Sequence, residues 1–82
     1  MSEQRFQVRI PAGADLSPGM RRQIRELEGV ELVENPPAGP DETEAPAAIV
    51  NYLAAESEEL ARRRVSRIAY IDEDRLVATP HA

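Results

Sequence analysis

The segment Asn35-Pro-Pro-Ala-Gly-Pro-Asp-Glu-Thr-Glu-Ala-Pro46 constrains the fold of this chain more than any other. Its four prolines remove backbone donors and fix φ, so neither a helix nor a central strand can run through it. One glycine and three acids complete a composition with nothing to pack, and a long mobile loop is expected over residues 35–46. That loop divides the 82 residues into two halves. Each half reads as strand, helix, strand.

In the first half, Phe6, Val8 and Ile10 alternate with Arg5, Gln7 and Arg9, the period of a strand with one buried face. Pro11-Ala-Gly13 ends it. Ser17-Pro18 is a helix start, with serine at the N-cap and proline at the first helical position. Met20, Ile24 and Leu27 recur at i, i+4 and i+7 and form one apolar stripe. Gly29 is expected to close this helix in the left-handed conformation. Arg21, Arg22, Arg25, Glu26 and Glu28 occupy the other, solvated face. Val30–Glu34 then reads as a short strand.

The second half opens ambiguously. Residues 47–56 suit a strand, with Val50 and Tyr52 facing one way and Ile49, Asn51 and Leu53 the other. They also suit the first turns of one long helix from Pro46 to Arg67, which alanine favours. The strand is preferred, because Ser57-Glu58-Glu59 is itself a helix start, with an N-cap and two acids at the positive end of the dipole. Arg62, Arg63, Arg64 and Arg67 fall in the C-terminal half of the Ser57–Arg67 helix, where positive charge complements the dipole. A compact apolar strand is expected at Ile68-Ala-Tyr-Ile71, followed by Asp72-Glu-Asp74 and an extended tail over residues 78–82. The expected fold is α+β: a ferredoxin-like βαββαβ domain over residues 1–82, with two helices on one face of a four-stranded antiparallel sheet.

Composition narrows function mainly by exclusion. The net charge of −5 opposes nucleic-acid binding, and no apolar run reaches the length of a membrane span. All ten basic residues are arginine, so no lysine can form a Schiff base. No cysteine is present, and the single histidine, His81, lies one residue from the end. No nucleotide-binding glycine motif and no metal-ligand spacing occurs. No enzyme, no cofactor and no metal is expected. His81 reads equally as a group lining a partner's site and as an ordinary tail residue. Without a signal peptide the chain as written is expected in the cytoplasm, or outside the cell if excised from a secreted precursor. With one Phe, two Tyr, no Trp and twelve Ala, its core is small, and a partner would add stability.

The stretch Ile68-Ala-Tyr-Ile-Asp-Glu-Asp-Arg-Leu-Val77 resembles the closing strand of the propeptides of subtilisin-like serine proteases, the inhibitor I9 family. The match covers about ten residues, with a looser likeness from Ile49 to Arg67 and only the element order in the first half. The resemblance implies an inhibitor or folding chaperone whose sheet packs on two surface helices of a protease. Asp72 and Asp74 would cap the N-termini of those helices, and Glu73 would point away. Ala78, Thr79, Pro80, His81 and Ala82 would lie product-like in the substrate groove. The family pattern puts the inhibitory end near Pro80, and this chain runs two residues further. Two other classes remain open: a ferredoxin-like assembly subunit that buries its open face in a homodimer, and a leader or adaptor domain whose tail another enzyme modifies. The inhibitor would be monomeric when free, with a dimer possible.

Overall fold

Alternation of small apolar and polar residues builds the centre of the molecule. A computed structural model describes residues 4–80. Strand β1 (Gln4–Ile10) turns Phe6, Val8 and Ile10 inward, all at most 4 % exposed. Strand β3 (Ala48–Ala55) lies antiparallel beside it, pairing Val50 with Val8, Tyr52 with Phe6 and Ala48 with Ile10. Strand β2 (Val30–Glu34) joins the outer edge of β3, and β4 (Val77–Pro80) the outer edge of β1. The order β2-β3-β1-β4 is antiparallel throughout and, with its two helices, makes the ferredoxin-like α+β fold expected from the sequence.

Helix α1 (Pro18–Arg25) starts where the sequence indicates: the Ser17 hydroxyl accepts the Met20 N–H at 3.2 Å. Ile24 is its one fully buried side chain, with Met20 and Leu27 packed more loosely against the core. The helix ends at Arg25, however, and Glu26 caps it in the right-handed conformation. Gly29 does take a positive φ of 70°, but as the turn into β2, where its carbonyl accepts the Leu53 N–H at 2.7 Å. Its left-handed backbone serves the sheet and does not close the helix.

Helix α2 (Glu58–Ala69) is capped by Ser57, whose hydroxyl accepts the Leu60 N–H at 3.2 Å. The ambiguity at 47–56 resolves as a strand, since β3 supplies pairing for both β1 and β2. The expected strand at Ile68–Ile71 is corrected. Ile68 and Ala69 are the last turn of α2, continuing the buried stripe of Ala61 and Val65. The spacing 61, 65, 68, 69 fits a helix, and four consecutive apolar residues have no period of their own to oppose it. Tyr70 ends the helix in the left-handed conformation (φ 56°) with its side chain 85 % exposed. A 3₁₀ turn at Glu73–Arg75 then leads to β4 (Val77–Pro80), nine residues later than the strand was placed.

The loop 35–46 also departs from its composition, because it does pack. Pro36 and Pro46 are buried at its two roots, and Ala47 donates its N–H to the Ile10 carbonyl at 2.9 Å.

Candidate docking face

Strand parity sorts the sheet into two surfaces. Residues in step with Val8 and Val50 face the helices, and residues in step with Arg9 and Ile49 face away. Two cross-strand rows make up the helix-free face: Val33–Ile49–Arg9–Val77 and Glu31–Asn51–Gln7–Thr79. Leu53, further along β3, adds an apolar side chain that is 46 % exposed, and Val77 is 56 % exposed. A polar chain runs through the middle of the face. Gln7 Nε2 donates to Asn51 Oδ1 at 3.3 Å, and Arg9 Nη1 donates to Gln7 Oε1 at 3.4 Å. The Arg9 guanidinium also donates through Nε and Nη2 to both carboxylate oxygens of Glu42. Glu42 further accepts the Gly39 N–H at 2.7 Å. Arg9 first and the Gly39 amide second hold the Glu42 carboxyl below its ordinary pKa.

Asp72 and Asp74 stand on the turn between α2 and β4, both exposed. The capping role implied by the resemblance puts both on one side of an extended chain; instead residues 73–75 wind into the 3₁₀ turn that brings Arg75 N–H to the Asp72 carbonyl at 2.9 Å. Glu73 between them turns back to α2, where its carboxylate accepts Arg63 Nε at 3.2 Å. Among the described residues, neither aspartate side chain has an ion-pair or hydrogen-bond partner. Both carboxylates are therefore available to donors from outside.

The expected tail splits in two. Ala78, Thr79 and Pro80 are the last strand itself, opposite Val8, Gln7 and Phe6 of β1. They are extended because they are sheet-paired, and they are not free beyond the sheet. His81 and Ala82 lie outside the described residues. Two of the four arginines of α2 meet acids: Arg62 pairs with Glu58 at 3.7 Å, and Arg63 with Glu59 at 2.8 Å as well as with Glu73, whereas Arg64 and Arg67 have no ion-pair partner among the described residues. The Glu58–Arg62 and Glu59–Arg63 pairs at i, i+4 spacing lace part of the helix surface.

Among the described residues no group of three His, Cys, Asp or Glu side chains is placed to hold a metal ion, and no helix is long and apolar enough to cross a membrane. Arg9, Glu42 and Val77 escaped the sequence reading. The sequence signals the face but not these residues: Ile49 and Leu53 alternate with Val50 and Tyr52, so β3 carries apolar residues on both faces. No family model, no curated protein and no solved structure matches this chain.

Proposed function

We propose that this chain is a non-catalytic protein-binding module that docks a subtilisin-like serine protease through the helix-free face of its sheet, as a chaperone-like or inhibitory partner. The observation that carries this reading is the face itself. It is left open by both helices, bears Leu53 and Val77 in the exposed state, and has the unengaged carboxylates of Asp72 and Asp74 at the turn that leads into β4. An open sheet with apolar side chains among polar ones suits a protein surface as its ligand. Two carboxylates on an exposed turn suit the orphan N–H groups at helix N-termini of a partner.

Product-like insertion of Ala78, Thr79 and Pro80 is the weaker half of the propeptide reading. It requires β4 to separate from β1, with loss of the pairing from Arg9–Val77 to Phe6–Pro80. Docking with β4 in place is favoured, and its signature is a complex that forms without full blockade of a small peptide substrate. The test is titration of a subtilisin-like protease with the intact chain, followed by light scattering for assembly and by substrate cleavage for inhibition. A micromolar complex weakened by Leu53→Asp or by Asp72→Asn with Asp74→Asn is expected. Absence of both complex and inhibition at that concentration sinks the proposal. A stable dimer burying Leu53 and Val77, with no protease complex, replaces it with the homodimer.

A further inference from the structure

Two aliphatic side chains on the same face of β3 have different fates. Leu53 is 46 % exposed, whereas Ile49 is 8 % exposed although both helices lie on the other side of the sheet. The β2–β3 connection lies at the Ile49 end of the face, where Glu34 and Ala48 are paired. That segment leaves β2 at Glu34, reaches past β3 to place Glu42 on Arg9 of β1, and returns to Ala48. Arg9 is the direct cross-strand neighbour of Ile49, so the Arg9–Glu42 pair brings the connection to that row. Gly39 sits close enough that a Cβ there would stand 3.6 Å from Arg9 Nη2.

The segment is held at few points. Its roots are the buried Pro36 and Pro46. Its middle is tied by Glu42, which binds Arg9 and closes a turn on Gly39 through its N–H to the Gly39 carbonyl at 3.1 Å and its carboxylate to the Gly39 N–H. Most of the remainder, including Pro37, Pro40, Asp41 and Glu44, is exposed. Prolines limit the conformations such a segment can take, so it moves more as a stiff piece about its roots than as a collapsing coil.

We propose that residues 35–46 are a strap across one end of the docking face and that the Arg9–Glu42 pair is its latch. Glu42 occupies the Arg9 guanidinium as an internal stand-in for a carboxylate of the partner. Release of the strap uncovers Ile49 between Val33 and Val77 and frees Arg9 for an acidic side chain on the incoming protein. The regulatory role rests on the docking proposed above; the strap itself does not.

The chain has no cysteine, which permits a direct test. Ile49→Cys and Leu53→Cys are made singly in the full chain, with Glu42 retained or replaced by Glu42→Gln, and alkylated with N-ethylmaleimide after circular dichroism has verified the fold. With Glu42 present, the thiol at 49 is expected to react roughly tenfold or more slowly than that at 53, as burial under a strap demands. Glu42→Gln and, separately, Arg9→Gln are expected to bring the two rates together. Equal rates with the latch intact, or slow reaction at 49 after both latch substitutions, overturn the strap. If Ile49→Cys fails to fold, amide exchange of Gly39 in the cysteine-free chain replaces it, with faster exchange expected in Glu42→Gln and an unchanged rate overturning the latch. The same Glu42→Gln chain is titrated against the protease. Tightening by several-fold supports gating, and unchanged affinity with a released thiol overturns it. A released thiol with no complex in any version upholds the strap and overturns the docking role instead.

Discussion

Tyr52 is the largest side chain fully buried in the core, and its hydroxyl has no hydrogen-bond partner among the described residues. Burial of its ring contributes on the order of 1.5–3 kcal/mol. Leaving the hydroxyl unpaired opposes this by about 1–3 kcal/mol. The same desolvation raises the phenol pKa above 10.0, against a smaller opposing pull from Arg64. Removing only the oxygen should therefore help. Tyr52→Phe is expected to be neutral or more stable by about 1 kcal/mol, while Tyr52→Ala is expected to lose about 3–5 kcal/mol. Urea denaturation of the three chains checks both values. A clear loss in Tyr52→Phe would reveal a partner for the hydroxyl. Tyr70 is the opposite case: its ring is exposed and its backbone is left-handed, so it contributes a helix stop and little packing.

At the scale of elements, the two helices are attached by different means. Helix α2 is fixed by the Ala61–Val65–Ala69 stripe and by its serine cap. Ser57→Ala is expected to lower stability by about 1 kcal/mol, measured by thermal or urea unfolding, because the Leu60 N–H loses its acceptor. Helix α1 buries only Ile24 completely and is clamped to β2 by ions. Glu34 accepts Arg25 Nη2 at 2.9 Å and Arg21 Nη1 at 3.0 Å. Arg25 chiefly, and Arg21 after it, hold the Glu34 carboxyl below its ordinary 4.5. A depressed carboxyl stabilises the fold fully above that value and stops doing so as pH falls through the folded pKa. Stability is thus expected to decline below pH 4.5, and the decline should be shallower in Glu34→Gln. Unfolding midpoints measured across the acid range decide this. Identical slopes would show that the clamp is inert.

For the whole molecule, the position of β4 changes what a truncation means. A chain ending at Asp74 loses the 2 % exposed Leu76 and the strand that satisfies the outer edge of β1. The expected cost is at least about 3 kcal/mol from the leucine alone, a large share of the stability of a domain this small. Circular dichroism should show a much lower melting temperature or an unfolded chain. Loss of partner binding in that truncation would then report on folding and not on a tail, so point substitutions are the informative probes of the face. A native-like truncation would instead place β4 outside the cooperative core.

Much of the fold follows from local chemistry. The Ser17-Pro18 and Ser57-Glu58-Glu59 starts, the alternation at Phe6–Ile10 and the β-α-β count in each half need no distant contact to be recognised, because caps and period-two burial are set within a few residues. What the chain does past Arg67 was not legible in this way. Ile68-Ala-Tyr-Ile71 suits a helix end as well as a strand, and the choice falls to packing: Ala69 fits beneath the sheet beside Val65, and β1 takes Val77–Pro80 as its outer neighbour. The strap was equally hidden. Nothing near Glu42 in the sequence indicates that its carboxylate meets Arg9, thirty-three residues away. That contact exists because antiparallel pairing brings the β2–β3 connection over the end of β1, so the sequence determined the elements and the tertiary structure alone determined which face they leave open and what covers it.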